Sequence, residues 1–137
     1  MGWEDAHLHA FKINRVNYGV PDPDFPGDIR NERNIRLDSV AKAGETFIYE
    51  YDFGDGWLHE IQVEKESPIE FGVKYPHCLA GERACPPEDC GGPFGYQQML
   101  DAINDPNHPE HEDFLEWIGG DFDPEYFDLE QTNEILQ

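Results

Sequence analysis

Basic residues are scarce in this sequence. Among its 137 residues there are 9 Lys and Arg against 30 Asp and Glu, which gives a formal net charge of -21 at pH 7. Proteins that hold the phosphate backbone of DNA or RNA need clustered Lys and Arg, and so do proteins that attach to anionic membrane surfaces. The sequence therefore predicts neither direct binding to a nucleic-acid backbone nor attachment to a membrane.

Cysteine and long apolar runs are also sparse. No run of 18 apolar residues occurs, which excludes a transmembrane helix, and the acidic start Met1–Asp5 does not resemble a secretory signal. There are three cysteines, an odd count that does not suit a disulfide framework. We therefore expect a cytoplasmic protein whose cysteines are free thiols or metal ligands.

Residues of common catalytic motifs are missing as well. The two serines are Ser39 and Ser67, and neither lies in a Gly-x-Ser-x-Gly motif. A glycine-rich phosphate loop with its Lys is also absent. These absences give no support to nucleophilic catalysis by serine or to a phosphate-binding loop. The sequence reveals no reaction and leaves the question of an enzyme open, with a binding or accessory module favoured.

What the chain does contain is enough apolar material for one folded domain over residues 1–137. Hydrophobic residues make up 38% of it, and a chain of this length buries roughly two-thirds of its unfolded surface. The charge is uneven, since residues 84–137 hold 14 acidic residues and no Lys or Arg. Apolar residues are spaced through that acidic half, so we expect the solvated face of a folded domain there, not a disordered tail.

Alternation of apolar and polar residues predicts β-strands in the first half. The pattern holds over four runs, residues 7–13, 47–51, 57–63 and 69–75. A Phe53–Gly56 turn joins the second and third runs, and the short connections among the last three runs predict an antiparallel meander. Residues 18–34 are rich in Pro, Gly and charge, and they predict a long exposed loop.

Helical spacing of apolar residues predicts three helices in the second half. The first has a stripe containing Met99 and Ile103, the second turns Trp117 inward and ends at Gly119, and the third is capped near Asp128. Strands followed by helices predict an α+β fold, with an antiparallel β-meander packed against C-terminal helices.

A loop rich in Pro and Gly over residues 76–95 carries the first candidate site. Its cysteines are Cys78, Cys85 and Cys90, and His77 lies beside the first of them. Zinc prefers thiolate and imidazole ligands, so three Cys and one His would form a closed tetrahedral site and order the loop. The alternative is small buried thiols without any metal.

Histidines and acids of the strands form the second candidate site. His7 and His9 are two residues apart and point to one side of a strand, while His59 lies on another strand near Asp52 and Asp55. These residue types suit a divalent metal or acid–base chemistry. The alternative, which we favour, is a partly buried His59 that is hydrogen-bonded to neighbouring backbone or a Tyr.

Glu88 and Asp89, just before Gly91 and Gly92, form the third candidate site. Paired acids beside a flexible backbone can bind a metal or act as base and acid. They can equally cap the helix that follows. The sequence leaves both interpretations open.

Five segments of the chain, taken in order, match one sequence pattern. They are Trp3–Phe11, Tyr49–His59, Cys85–Gly92, Gly95–Tyr96 and Trp117–Glu125. The pattern resembles the signature of the plasmid pRiA4b ORF-3-like family and spans nearly the whole chain. The resemblance implies a compact α+β domain associated with plasmids and insertion elements, and it implies no particular reaction.

Members of that family usually carry a further strand-like segment and a helix before the first of these segments. Here the chain opens on Met1–Trp3, inside the pattern. Either the chain is a truncated member of the family or its start is placed late. If it is truncated, we expect a sheet that lacks a strand and exposes an edge. Such an edge favours a homodimer or the docking of a partner.

These observations favour a binding module or a mobile-element accessory protein. A first alternative is a zinc-binding protein or a metal-dependent enzyme that uses the candidate residues above. A second alternative is an acidic mimic of nucleic acid that binds a basic protein, because the net charge is -21.

Overall fold

The structure is a computed structural model that describes residues 1–24 and 26–137. The chain divides into two compact units. The sheet unit comprises residues 5–67 and 91–93, and the helical unit comprises residues 1–4, 68–90 and 94–137. Strands precede the three longer helices along the chain, so the predicted α+β class is confirmed.

The sheet unit contains a mixed sheet of five strands. In sheet order they run β3 (Ile29–Asn31), β2 (Val16–Gly19), β1 (His9–Ile13), β4 (Thr46–Tyr51) and β5 (Trp57–Gln62). β2 and β3 pair in parallel, and the other three pairings are antiparallel. The predicted central hairpin is confirmed, since β4 and β5 pair along their whole length.

The predicted fourth run of the meander does not form a strand. Residues 69–75 contain a turn at residues 71–72 and a bend at residue 75, and Ile69 is 84% exposed. Gly72 takes a φ of 82° in the middle of the run, and the backbone N–H of Val73 bonds the carbonyl of Glu70. A left-handed residue and a tight turn interrupt the extended backbone here. The strand that the alternation predicts over residues 69–75 is therefore wrong.

The predicted loop over residues 18–34 is also only partly right. It contains the end of β2, all of β3 and a 3₁₀ turn at Glu32–Asn34, while Phe25 lies outside the described residues. The side chain of Asn31 caps that turn by accepting a hydrogen bond from the backbone N–H of Arg33. The short helix α1 (Leu37–Val40) follows the turn.

The core of the sheet unit lies on one face of the sheet. Ile13, Tyr18, Ala41 and Phe47 are buried there. Partly buried apolar side chains pack around them, namely Phe11, Val16, Val40, Ile61 and Val63. The burial of these aliphatic and aromatic groups is the main contribution that holds α1 against the sheet.

The helical unit carries most of α2 (Gly92–Asn104) and all of α3 (His111–Ile118) and α4 (Leu129–Leu136). The predicted ends of the later helices are confirmed, since Gly119 is the left-handed C-cap of α3 and Asp128 caps α4 through the Gln131 N–H. The prediction for Trp117 is wrong, because its side chain is 50% exposed. Among the described residues, no helix has the length and apolar character needed to cross a bilayer.

Candidate functional site

A cavity of about 470 Å³ opens in the sheet unit. Its walls are mainly apolar side chains from four strands and from the segment that carries α1. They are Phe11, Ile13, Tyr18, Phe47 and Ile61 from the strands, and Ile35, Leu37 and Val40 from the segment. Small-molecule sites in proteins usually measure roughly 300–1,000 Å³ and are lined in this way. The cavity is therefore large enough for a small ligand.

The strand register explains why these residues meet. Phe11 of β1 pairs directly with Tyr18 of β2, and Phe47 of β4 pairs with Ile61 of β5. Residues that pair directly point to the same side of a sheet, because side chains alternate along each strand. The period-two pattern of the sequence thus produces one apolar face, and Val40 packs against its buried part.

Two charged residues, Glu32 and Arg33, also line the cavity. Both belong to the 3₁₀ turn that follows β3. The carboxylate oxygens of Glu32 lie 2.9 and 3.1 Å from Nε2 of His9. Nδ1 of the same imidazole lies 3.9 Å from a carboxylate oxygen of Asp5. Thus Glu32 links the cavity to a histidine placed between two acids.

Aromatic rings continue from the cavity along the same face of the sheet. The ring of Tyr49 lies 4.9 Å from Phe11, 5.9 Å from His9 and 5.2 Å from His59, measured between centroids. Nδ1 of His59 donates a hydrogen bond of 2.9 Å to the carbonyl of Tyr49. Burial raises the pKa of Tyr49, and the negative charges of Asp5 and Glu32 act in the same direction. The favoured interpretation of His59, a hydrogen-bonded and partly buried histidine, agrees with this contact.

His7, Asp52 and Asp55 lie around the turn between β4 and β5. Nε2 of His7 is 3.6 Å from Oδ2 of Asp52. The other oxygen of the buried Asp52 accepts hydrogen bonds from the N–H groups of Gly54 and Asp55. Asp55 in turn accepts one from the N–H of Gly91. Both acids therefore hold backbone segments in place, which is a structural use of their charge.

Glu88 and Asp89 lie in the helical unit. A carboxylate oxygen of Glu88 accepts a 2.9 Å hydrogen bond from the backbone N–H of Glu4. Asp89 has a left-handed φ of 59°. It lines a second cavity, of about 380 Å³, together with Cys90 and Trp117. The contact of Glu88 ties the start of the chain to the loop of residues 76–95.

The three cysteines are free thiols. The backbone N–H of Cys78 bonds the side chain of Asn133 at 2.7 Å, which ties this part of the loop to α4. Burial raises the pKa of the Cys85 thiol to about 11, and the charges of Glu88 and Cys90 act in the same direction. A thiol with this pKa is protonated at neutral pH.

The predicted zinc ligands do not converge in this conformation. Among the described residues, no three ligand atoms from Cys78, Cys85, Cys90 and His77 lie within 4.8 Å of one another. A closed tetrahedral site needs its ligands roughly 2.0–2.3 Å from the metal, so they must lie close together. Zinc binding by this loop stays a prediction that would require the loop to rearrange.

The structure therefore brings some predicted site residues together and separates others. His9 and His59 both contact Tyr49, and His7 faces Asp52. The sequence did not single out Glu32 or Arg33, because they fall in a stretch that predicts an exposed loop. The one available signal was Asn31 just before them, a residue type that often caps a helical turn.

Together, the fold and the cavity define an α+β protein with a ligand-sized apolar cavity on one face of a mixed sheet. The chain belongs to the plasmid pRiA4b ORF-3-like protein family, whose model matches residues 1–131. The predicted family is thereby confirmed.

Two relatives extend this finding. The chain is 41% identical over 139 aligned residues to the uncharacterized protein y4hQ of Sinorhizobium fredii, with 99% of this chain and 71% of that protein covered. It is also similar to the crystal structure of a protein of unknown function, MM3350, from Methanosarcina mazei Go1. That likeness has a TM-score of 0.81 and 39% identity, and it covers 96% of this chain and 75% of the other.

Proposed function

We propose that this protein is a binding module whose site is the cavity of the sheet unit and whose ligand has an apolar body. The observation that carries the proposal is the cavity itself, about 470 Å³ with walls of aromatic and aliphatic side chains. A ligand that fills this cavity removes apolar surface of its own and of the protein from water. Each Å² of apolar surface buried in this way contributes about 25 cal/mol of favourable free energy. The cavity thus offers a small apolar molecule a favourable environment.

The residues around the cavity support binding more than catalysis. Among the described residues that line it, Tyr18, Glu32 and Arg33 are the ionisable ones, and there is no Ser, Cys, His or Asp. Covalent catalysis needs an activated nucleophile, and acid–base catalysis needs a proton-transfer group within hydrogen-bond reach of the ligand. Glu32 already faces His9. The site is therefore suited to hold a ligand without transforming it.

The proposal is tested with N-phenylnaphthylamine, a neutral apolar dye that fluoresces when it leaves water. We expect saturable binding of one dye per chain. Ile35 lines the cavity and is 40% exposed, so Ile35→Trp should narrow it and weaken dye binding at least about fivefold through steric overlap.

Val20 provides the matched control for this experiment. It is apolar, 42% exposed and also in the sheet unit, and it does not line the cavity. Val20→Trp should therefore leave the dye affinity unchanged. Absence of saturable binding to the unmodified protein, or an equal loss in both variants, would contradict the proposed site.

The other functions predicted from the sequence have less support. The zinc site over Cys78, Cys85 and Cys90 requires the loop to rearrange, as described above. A role as an acidic nucleic-acid mimic depends on the net charge of -21, and a role beside mobile elements depends on family membership. Each stays a prediction, and each is compatible with a binding module as the common activity.

A further inference from the structure

The charged residues at the cavity indicate which kind of ligand it takes, provided that the cavity is the binding site proposed above. Glu32 and Arg33 are consecutive residues of one 3₁₀ turn, and both line the cavity. All other lining residues are apolar apart from Tyr18. A ligand in the cavity therefore meets apolar walls and one charged region.

The negatively charged residue of that region, Glu32, already has a hydrogen-bond partner within the protein. Both oxygens of Glu32 lie within 3.1 Å of Nε2 of His9, which donates to the carboxylate. The rings of Phe11 and Tyr49 each lie 5.9 Å from the imidazole of His9, measured between centroids. The carboxylate is thus directed toward its own histidine, and its capacity to accept a hydrogen bond is partly used there.

The positive charge is in a different situation. Within the described part of the chain, the Arg33 guanidinium makes no ion pair and no side-chain hydrogen bond, and only its backbone N–H is engaged, as the donor to the capping side chain of Asn31. The nearby Arg36 shows the contrast, because its guanidinium makes two hydrogen bonds to Asp38, of 3.0 and 2.6 Å. In a chain with 30 acidic residues, Arg33 keeps its donors available beside an apolar cavity.

A guanidinium presents its N–H donors as a planar fork that matches carboxylate and sulfonate oxygens. We propose that the cavity selects an amphipathic organic anion, with its apolar body between the sheet and α1 and its acidic head group on Arg33. A neutral apolar compound would contact the same apolar walls but would make no charged contact with the guanidinium of Arg33. Arg33 is thus a specificity-determining residue of the proposed site.

The test uses two dyes of nearly the same shape that differ in charge. Anilinonaphthalene sulfonate carries the acidic head group, and N-phenylnaphthylamine lacks it. In Arg33→Gln we expect the affinity for the sulfonate to fall about tenfold, because one charge-assisted contact is lost, while the affinity for the neutral dye stays unchanged. Titrations at a fixed salt concentration of ~0.15 M keep the general repulsion between the anionic dye and the acidic chain constant.

Arg30→Gln is the matched control. Arg30 is an exposed residue of β3 that does not line the cavity, so its replacement changes the net charge by the same amount. An equal loss of sulfonate affinity in both variants would show that the general field is responsible and would overturn the inference. An unchanged affinity in Arg33→Gln would overturn it too.

The outcomes also separate this inference from the proposed function. If neither dye binds the unmodified protein saturably, the binding site itself is wrong. Suppose instead that both dyes bind, that Ile35→Trp weakens the binding of both, and that Arg33→Gln weakens the binding of neither. The proposed binding site is then supported, and the proposed preference for an anion is wrong. Thermal melting of each variant verifies folding, and an unfolded Arg33→Gln variant is replaced by Arg33→Lys, which keeps the charge and loses the fork.

Discussion

At the scale of single residues, the Cys85 thiol is an unusually weak acid, and its reactivity can test this directly. Burial raises its pKa from 9.0 to about 11. At pH 8 the folded protein therefore holds about 100-fold less thiolate at this position than the unfolded chain does. In a variant with Cys78→Ser and Cys90→Ser, we expect Ellman's reagent to react about 100-fold more slowly with the native protein than with the protein in guanidinium.

The same shift predicts how this group affects stability with pH. Because the folded pKa lies above the unfolded one, the folded state holds its proton more tightly, and the stabilisation is complete below pH 9. It is lost as the pH rises through about 11. The native reaction rate should rise over the same interval, and equal native and unfolded rates at pH 8 would refute the raised pKa.

Single residues also show how far the candidate site could be predicted from the sequence. Alternation alone places His9 and Phe11 on one side of a strand, and Phe47 and Tyr49 on one side of another. It does not indicate that Glu32 reaches His9, since the two are 23 residues apart. That contact depends on the 3₁₀ turn after β3, and a local pattern contains no information about such long-range placement.

At the scale of elements, the beginning of α2 depends on a glycine. Gly92 has a φ of 72°, and a Cβ there would overlap the carbonyl oxygen of Asp55. We expect Gly92→Ala to lower the free energy of unfolding by about 3 kcal/mol, because it combines left-handed strain with a backbone clash. Urea denaturation followed by circular dichroism measures this change.

Gly44→Ala is the control for that experiment. Gly44 also lies in the sheet unit and has a φ of 89°, but among the described residues no atom lies within 4 Å of the added Cβ. Its replacement should therefore cost only the conformational part, about 1 kcal/mol. Equal losses in the two variants would mean that the contact with Asp55 does not determine how α2 begins.

Elements differ in how well the sequence predicts them, and the reason is physical. The β4–β5 hairpin is predictable because strong alternation flanks a turn that Asp52 stabilises through the Gly54 N–H. The run over residues 69–75 has the same alternation, but Gly72 interrupts it with a turn. β3 is difficult to predict because it is only three residues long and pairs with β2 in parallel, a contact that a local pattern does not reveal.

At the scale of the whole molecule, few ion pairs offset the negative charge of the Asp and Glu side chains. Two ion pairs between Arg and an acid occur among the described residues, Arg36–Asp38 and Arg83–Glu125, and both are exposed. Exposed pairs of this kind contribute about 0–1 kcal/mol each. A net charge of -21 repels itself in the compact state. Repulsion therefore outweighs the attraction that the few pairs provide.

This balance predicts the direction in which salt changes stability. Raising NaCl from ~0.01 M to ~0.1 M shortens the Debye length from about 30 Å to about 10 Å, which screens repulsion between distant carboxylates. We expect the melting temperature to rise by about 3 °C, since relief of about 1 kcal/mol shifts a domain of this size by that amount. Sucrose at the same osmolarity does not screen charge, so it should raise the melting temperature by clearly less than NaCl does. A melting temperature that falls with NaCl would contradict this prediction. It would show that attraction between opposite charges outweighs repulsion among the carboxylates, so that the acidic residues stabilise the fold and are more than a solvated face.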